Sequence, residues 1–174
     1  MKKILLCLWL PVFIFGCSKN AETEIVEQSF NSIKDPVPLQ LMLTTDKSVY
    51  KVREPIIATL KLQNTSPNLI SVKKRMALGA VGAPVEFRDV YFLIDATFST
   101  RYTPPELSDS DFGYLNPGDG IENSWDIALV YSISDVGVYY VAAIYQNSYD
   151  AENGPPSWRG ELRSNTISFE VVSP

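Results

Sequence analysis

Asp135-Val136-Gly137-Val138-Tyr139-Tyr140-Val141-Ala142-Ala143-Ile144 is the stretch that decides the fold. It opens on a turn-forming Asp-x-Gly. It then runs into a segment in which Tyr139, Val141 and Ala143 oppose Tyr140, Ala142 and Ile144. Side chains of a strand point alternately to opposite faces, so a period of two reads as a half-buried strand. The same period recurs outward in both directions. Leu39, Leu41 and Leu43 alternate with Gln40, Met42 and Thr44. Ile56, Ala58, Leu60 and Leu62 alternate with Ile57, Thr59, Lys61 and Gln63. Ile121, Asn123, Trp125, Ile127 and Leu129 share a face, as do Ile167, Phe169 and Val171. Residues 90–98 read as a strand apolar on both faces apart from Asp95, and residues 69–73 as a shorter one. Turn chemistry punctuates them at Asn64-Thr65-Ser66-Pro67-Asn68, at 79–84 and at Asn116-Pro117-Gly118-Asp119-Gly120. No ten-residue helical pattern appears. Seven strands at this spacing predict an all-β protein, a two-sheet antiparallel sandwich.

Asp135-x-Gly137-x-Tyr139 resembles the tyrosine corner of immunoglobulin-like folds. The resemblance implies that Tyr139 packs inward and that its hydroxyl bonds upstream backbone. Two residues on, where antibody domains carry a cysteine, stands Val141, so the sandwich is expected without an inter-sheet disulfide. Residues 46–64 resemble the first hairpin of macroglobulin-type and related bacterial immunoglobulin-like domains. The match lies in Asp46-Lys47-Ser48-Val49-Tyr50-Lys51, Glu54-Pro55-Ile56 and the alternation to Asn64, with Val52-Arg53 where Pro-Gly is usual. Tyr50 is expected at the surface. The Asn-Pro-Gly-Asp-Gly turn and Ser164-Asn165-Thr166 recur in such domains too. There is no Cys-Gly-Glu-Gln thioester, and a shared fold implies no activity.

The N-terminus carries a different signal. Met1-Lys2-Lys3 precedes twelve uncharged residues, Ile4 to Phe15, too few to cross a hydrocarbon core of about 20 helical residues. A basic start and a short apolar run have the layout of a secretory signal. The run ends Ile14-Phe15-Gly16-Cys17-Ser18, which resembles the lipobox of bacterial lipoproteins. That resemblance implies a signal peptide over 1–16, cleavage before Cys17 and diacylglycerol on its thiol. The protein is then expected in the bacterial cell envelope, held to the membrane through lipid on Cys17. Ser18 in place of Asp favours the outer membrane in a Gram-negative host. Two acyl chains suffice for stable anchoring, since each buried methylene contributes about 0.8 kcal/mol. Residues 17–37 read as the lipidated cysteine and a flexible tether, and 38–174 as the immunoglobulin-like β-sandwich.

Composition excludes several chemistries. The 174 residues include no histidine, and both cysteines, Cys7 and Cys17, lie in the first seventeen. The commonest general base is therefore missing, and no thiolate metal site can form. A net charge of −5 argues against nucleic acid, which demands a basic footprint. Glu106, Asp109, Asp111 and Asp119 cluster in 103–120, and Asp109-Ser110-Asp111 resembles half of a calcium loop. A solvated acidic loop is the simpler reading, just as Val72-Lys73-Lys74-Arg75 reads as a solvated basic strand end. No catalytic residue, cofactor or metal is expected.

The expected function is a non-catalytic binding or adaptor module, with another envelope protein as partner. The alternative is a protease inhibitor presenting Gly154-Pro155-Pro156-Ser157-Trp158-Arg159 as a rigid loop. In an immunoglobulin-like order the loops 103–120 and 147–163 fall at one end. Tyr149, Trp158 and Arg159 lie in the second, and Tyr, Trp and Arg are the residue types enriched at binding hot spots. They are the candidate binding residues; the alternative is that Trp158 covers the sandwich edge and Arg159 pairs with the acidic loop. For the anchor, metabolic labelling with a fatty acid should mark the wild-type protein and leave Cys17→Ser unmarked; label retained on Cys17→Ser would overturn the lipid assignment.

Overall fold

Leu39, Leu41 and Leu43 are buried and the residues between them exposed, so the first alternating run is a strand with one face on the core. The computed structural model describes residues 37–79, 88–98 and 106–174. The signal peptide, Cys17 and the rest of the tether before Val37 lie outside the described residues. The elements are β1 (Leu39–Thr45), β2 (Val49–Lys51), β3 (Ile57–Asn64), β4 (Ile70–Lys73), β5 (Val90–Leu93), β6 (Phe112–Leu115), β7 (Gly120–Asp126), α1 (Ile127–Val130), β8 (Gly137–Asn147), β9 (Gly160–Arg163) and β10 (Ile167–Val172). A single 3₁₀ turn at Asp109–Asp111 precedes β6.

The protein is an all-β sandwich. One sheet runs β1-β3-β7, antiparallel throughout, with Leu43 opposite Leu60 and Leu60 opposite Asn123. A second runs β2-β10-β8-β5, with β9 also paired to β8. The strands β4 and β6 form a separate antiparallel ribbon. Leu41, Leu43, Leu60 and Leu62 from the first sheet share one core with Val141, Tyr145, Phe169 and Val171 from the second. Each such aliphatic or aromatic side chain contributes roughly 1.5–3 kcal/mol by leaving water. The described residues contain no cysteine, so packing and hydrogen bonds join the sheets.

Two of those bonds come from Asn165. Asn165 Oδ1 accepts from Leu43 N at 2.8 Å while its Nδ2 donates to Leu43 O at 3.0 Å. The amide thus stands in for a neighbouring strand on the edge of β1. Ser164 Oγ accepts from Ala143 N at 2.8 Å and fills the gap between β9 and β10. Asn64 is fully buried and its amide holds the 64–68 turn through Asn68 O and Ser66 N, so the turn reading of that segment holds.

The tyrosine corner is present in its hydrogen bond. Tyr139 Oη donates to Asp135 O at 3.0 Å, and Gly137 takes φ +156°, a conformation L side chains rarely adopt. The ring is half-buried, stacked on Phe169 with centroids 5.6 Å apart. Tyr50 is a correction: it is completely buried, not a surface residue. Its hydroxyl donates to Asp46 Oδ1 at 2.6 Å and accepts from Lys47 N at 3.0 Å. Burial, then the Asp46 bond, pushes this phenol up to about 12. Its ring meets the other side of the same cluster, edge-on to Phe169 at 5.5 Å. The reason is topological. The expected hairpin over 46–64 is not formed: β3 pairs with β1, and β2 crosses to the other sheet, where Tyr50 lies parallel to Val171 of β10.

Three strand expectations also shift. β7 ends at Asp126, whose carboxylate accepts from Ala128 N and Ile56 N, both at 3.0 Å. That cap starts the short helix α1 and turns Leu129 out to 73% exposure. The strand expected over 90–98 stops at Leu93. In β8 the alternation lasts only to Tyr140, and 141–147 are buried on both faces. Tyr50→Phe is expected to cost about 1–3 kcal/mol, because the bond from a buried hydroxyl to an ionised carboxylate is lost and Lys47 N loses its acceptor, and Tyr139→Phe only about 0.5–1 kcal/mol. Urea denaturation of the two variants checks the order; a larger loss for Tyr139→Phe would reverse it.

Candidate functional site

The ribbon β4–β6 brings Ser71 opposite Tyr114 and Lys73 opposite Phe112. The segment 148–159, between β8 and β9, lies along it. Trp158 N donates to Ser71 O at 2.7 Å, and the Ser71 and Ser157 hydroxyls meet at 2.9 Å. Asn147, almost fully buried, closes the base of the loop by donating to Tyr149 O at 2.9 Å and Trp158 O at 2.7 Å. Asp150 accepts from Ser157 N at 2.8 Å and forms an ion pair with Arg159.

The acidic segment joins this loop through one side chain. Asp109 Oδ1 accepts from Glu152 N at 2.7 Å, and Oδ2 accepts from Asn153 Nδ2 at 2.8 Å. The Asn153 amide, then the Glu152 N–H, holds the Asp109 carboxyl below its ordinary 3.8. Asp111 is used locally, accepting from Ser108 N at 2.8 Å. These carboxylates are thus spent on protein donors, and no group of three or more His, Cys, Asp or Glu is arranged to hold a metal among the described residues. A cleft of about 140 Å³ remains where the two segments meet, lined by Ser71, Asp109, Phe112, Tyr114, Asn153 and Pro155. Tyr114 stands 56% exposed at this cleft.

Beneath the loop lies a charge cluster absent from the sequence reading. Lys73 and Asp89 are both completely buried, with Nζ 2.6 Å from Oδ1. Arg75 reaches the same carboxylate through Nε at 2.8 Å and Nη2 at 3.0 Å, and Ala77 N donates to Oδ2 at 2.8 Å. Burial is the largest influence on Asp89 and pushes its carboxyl upward. The Arg75 guanidinium, the Lys73 ammonium and the Ala77 N–H together outweigh it and hold the group below 3.8. Tyr145 Oη donates to Lys73 O at 2.8 Å. The reading of 72–75 as a solvated strand end is therefore wrong for Lys73. Val72 and Lys73 are adjacent and both buried, so no alternation marks the lysine, and its partner comes sixteen residues later.

The predicted binding residues are all engaged by this construction. Tyr149 is 36% exposed, with its ring over Lys73 Nζ at 5.5 Å. Trp158 is partly buried against the core and stacks on Tyr145 at 5.9 Å. Gly160 lies under the indole; a Cβ there would come within 3.0 Å of it. Arg159 pairs with Asp150 of its own loop and not with the acidic segment, whose Glu106 stays exposed. Each expected long loop is also interrupted, the first by β6 and the second by β9. Beside Arg159 an open groove of about 510 Å³ runs past Gln146, Ser148 and Glu161. No known family model matches the chain, and no curated protein matches it significantly.

Asp89→Asn leaves the Lys73 ammonium buried against a neutral amide. Unfolding free energy near neutral pH should fall by about 3–5 kcal/mol. Because the folded Asp89 carboxyl sits below 3.8, its contribution is fully present above that value and is lost as pH falls through it. Denaturant titrations at stepped pH should therefore show a steeper acid loss for wild type than for Asp89→Asn. Equal slopes would place the ion pair outside the acid response.

Proposed function

We propose that this chain is an envelope-anchored lipoprotein whose β-sandwich acts as a non-catalytic binding module. The anchor rests on Ile14-Phe15-Gly16-Cys17 and the apolar run before it. Binding is assigned to the loop end, and one observation carries that assignment. Asp109 ties the segment before β6 to the segment before β9, leaving the cleft beside Tyr114 between them. A rigid scaffold that holds two loops side by side is the usual basis of a recognition surface. The Asp109 carboxylate in the cleft wall, with exposed Glu152 next to the lining residue Asn153, suits a basic or polar partner surface, and the proposed partner is another envelope protein. The tyrosine corner, with Tyr139 Oη donating to Asp135 O, is the local feature that supports an immunoglobulin-like relationship.

A protease inhibitor is the second reading, favoured by the preorganisation of 157–158 through Asp150 and Ser71. Against it, Ser157 is buried at 7% exposure and Trp158 turns inward, which leaves Pro155, Pro156 and Arg159 as the exposed side chains of the loop 154–159. A panel of envelope proteases separates the two readings by inhibition.

Partner capture from envelope extracts tests the binding site. Tyr114→Ala should weaken capture by more than tenfold, the scale of a hot-spot aromatic. Its unfolding free energy should stay within about 0.5 kcal/mol of wild type, as for an exposed residue. Trp158→Ala should lower the thermal midpoint, because its indole packs on Tyr145 and the core. Undiminished capture by Tyr114→Ala would remove the cleft as the site.

A further inference from the structure

We propose that Asn153-Gly154 is a self-modifying site, at which loss of the Asn153 side-chain amide unlatches the two loops. This stands apart from the binding reading, since it concerns only the chain's own chemistry. Asn153 is the one asparagine in the sequence followed by glycine. Succinimide formation requires the next residue's backbone nitrogen to attack the side-chain carbonyl carbon, and a glycine offers no side chain to obstruct the approach. The other asparagines of the described residues are protected in distinct ways. Asn116 precedes Pro117, which has no N–H to react. Asn64 and Asn147 are buried, each with its amide nitrogen donating twice. Asn68, Asn123 and Asn165 precede Leu69, Ser124 and Thr166.

At 153–154 both residues are exposed, and among the described residues the Gly154 N–H donates no hydrogen bond. The glycine is also required by space: a Cβ on Gly154 would come within 2.9 Å of the Ala151 Cβ. The loop therefore holds a reactive pair in place for reasons of packing.

The step balances with water alone. Hydroxide takes the Gly154 N–H proton. The nitrogen then bonds to Asn153 Cγ, the Cγ–Nδ2 bond breaks, and ammonia leaves with a proton from solvent. Water opens the resulting ring at either carbonyl, giving aspartate or isoaspartate. Both products lose the Nδ2 donor and gain a carboxylate, at Cγ in aspartate and at the former main-chain carbonyl in isoaspartate, and Nδ2 is the atom that lies 2.8 Å from Asp109 Oδ2. Two carboxylates at that spacing repel, so the contact opens or one of them takes up a proton. The second latch bond, Glu152 N to Asp109 Oδ1, sits one residue away and loses its support.

Incubation of the full chain at mildly alkaline pH, followed by peptide mass spectrometry and isoaspartyl methyltransferase labelling, tests the site. Conversion should concentrate at Asn153, rise in proportion to hydroxide and disappear in Asn153→Gln, whose longer side chain closes the ring poorly. In converted protein, and in Asn153→Asp, amide exchange at Glu152 should quicken by about tenfold or more, the loss of one hydrogen bond to a charged group. A residue 153 unconverted under conditions that convert a free Asn-Gly peptide would overturn the proposal. Unchanged exchange at Glu152 in Asn153→Asp would overturn its consequence for the loops.

Discussion

The Asp89 carboxylate is the point on which the loop end of this protein hangs. It gathers Lys73 at the end of β4, Arg75 and the Ala77 N–H, three groups from one segment, onto the residue that precedes β5. Its own backbone carbonyl accepts from Gln146 N in β8. An ionised carboxylate out of water is costly unless its oxygens are filled, and here guanidinium, ammonium and amide fill them. Tyr145 closes the same cluster by donating to Lys73 O, and Trp158 stacks on Tyr145. A segment rich in charge is thereby fixed against a hydrophobic core, and the loop above inherits a rigid floor.

That floor explains why aromatic and basic residues in 147–163 are less available than their types suggest. Tyr149 covers the lysine, Trp158 covers Tyr145, and Arg159 answers Asp150. Among the aromatic side chains named at this end, Tyr114 of the ribbon is the most open. Recognition by the proposed module thus moves from the aromatic loop to the cleft beside it. The same economy appears at the opposite sheet edge, where Asn165 spends its amide on Leu43 in place of a neighbouring strand.

Alternation along the chain was sufficient to locate β1, β3 and β10, because a strand with one wet face repeats its burial every second residue; in β8 it marked only the opening residues. The Asp-x-Gly-x-Tyr sequence announced the Tyr139 bond for an equally local reason, since donor and acceptor are four residues apart. The proximity of the two loops was also legible from the expected strand order. Asp109 was noted there for its charge and not as the joint between them, because an aspartate accepting from Glu152 N and Asn153 is indistinguishable in sequence from one facing solvent.

What the sequence determined by itself is whatever depends on near neighbours: the positions of β1, β3 and β10, the 64–68 turn, the Tyr139 bond, and the lipobox-like run at the N-terminus. Tertiary structure alone decided which sheet β2 joins, and so whether Tyr50 is wet or dry. It alone decided that Lys73 is buried with Asp89 and that Trp158 serves the core. The physical reason is the range of the interactions. Burial and ion pairing are settled by what arrives from far along the chain, and a buried lysine carries no local mark that separates it from the exposed Lys74 beside it.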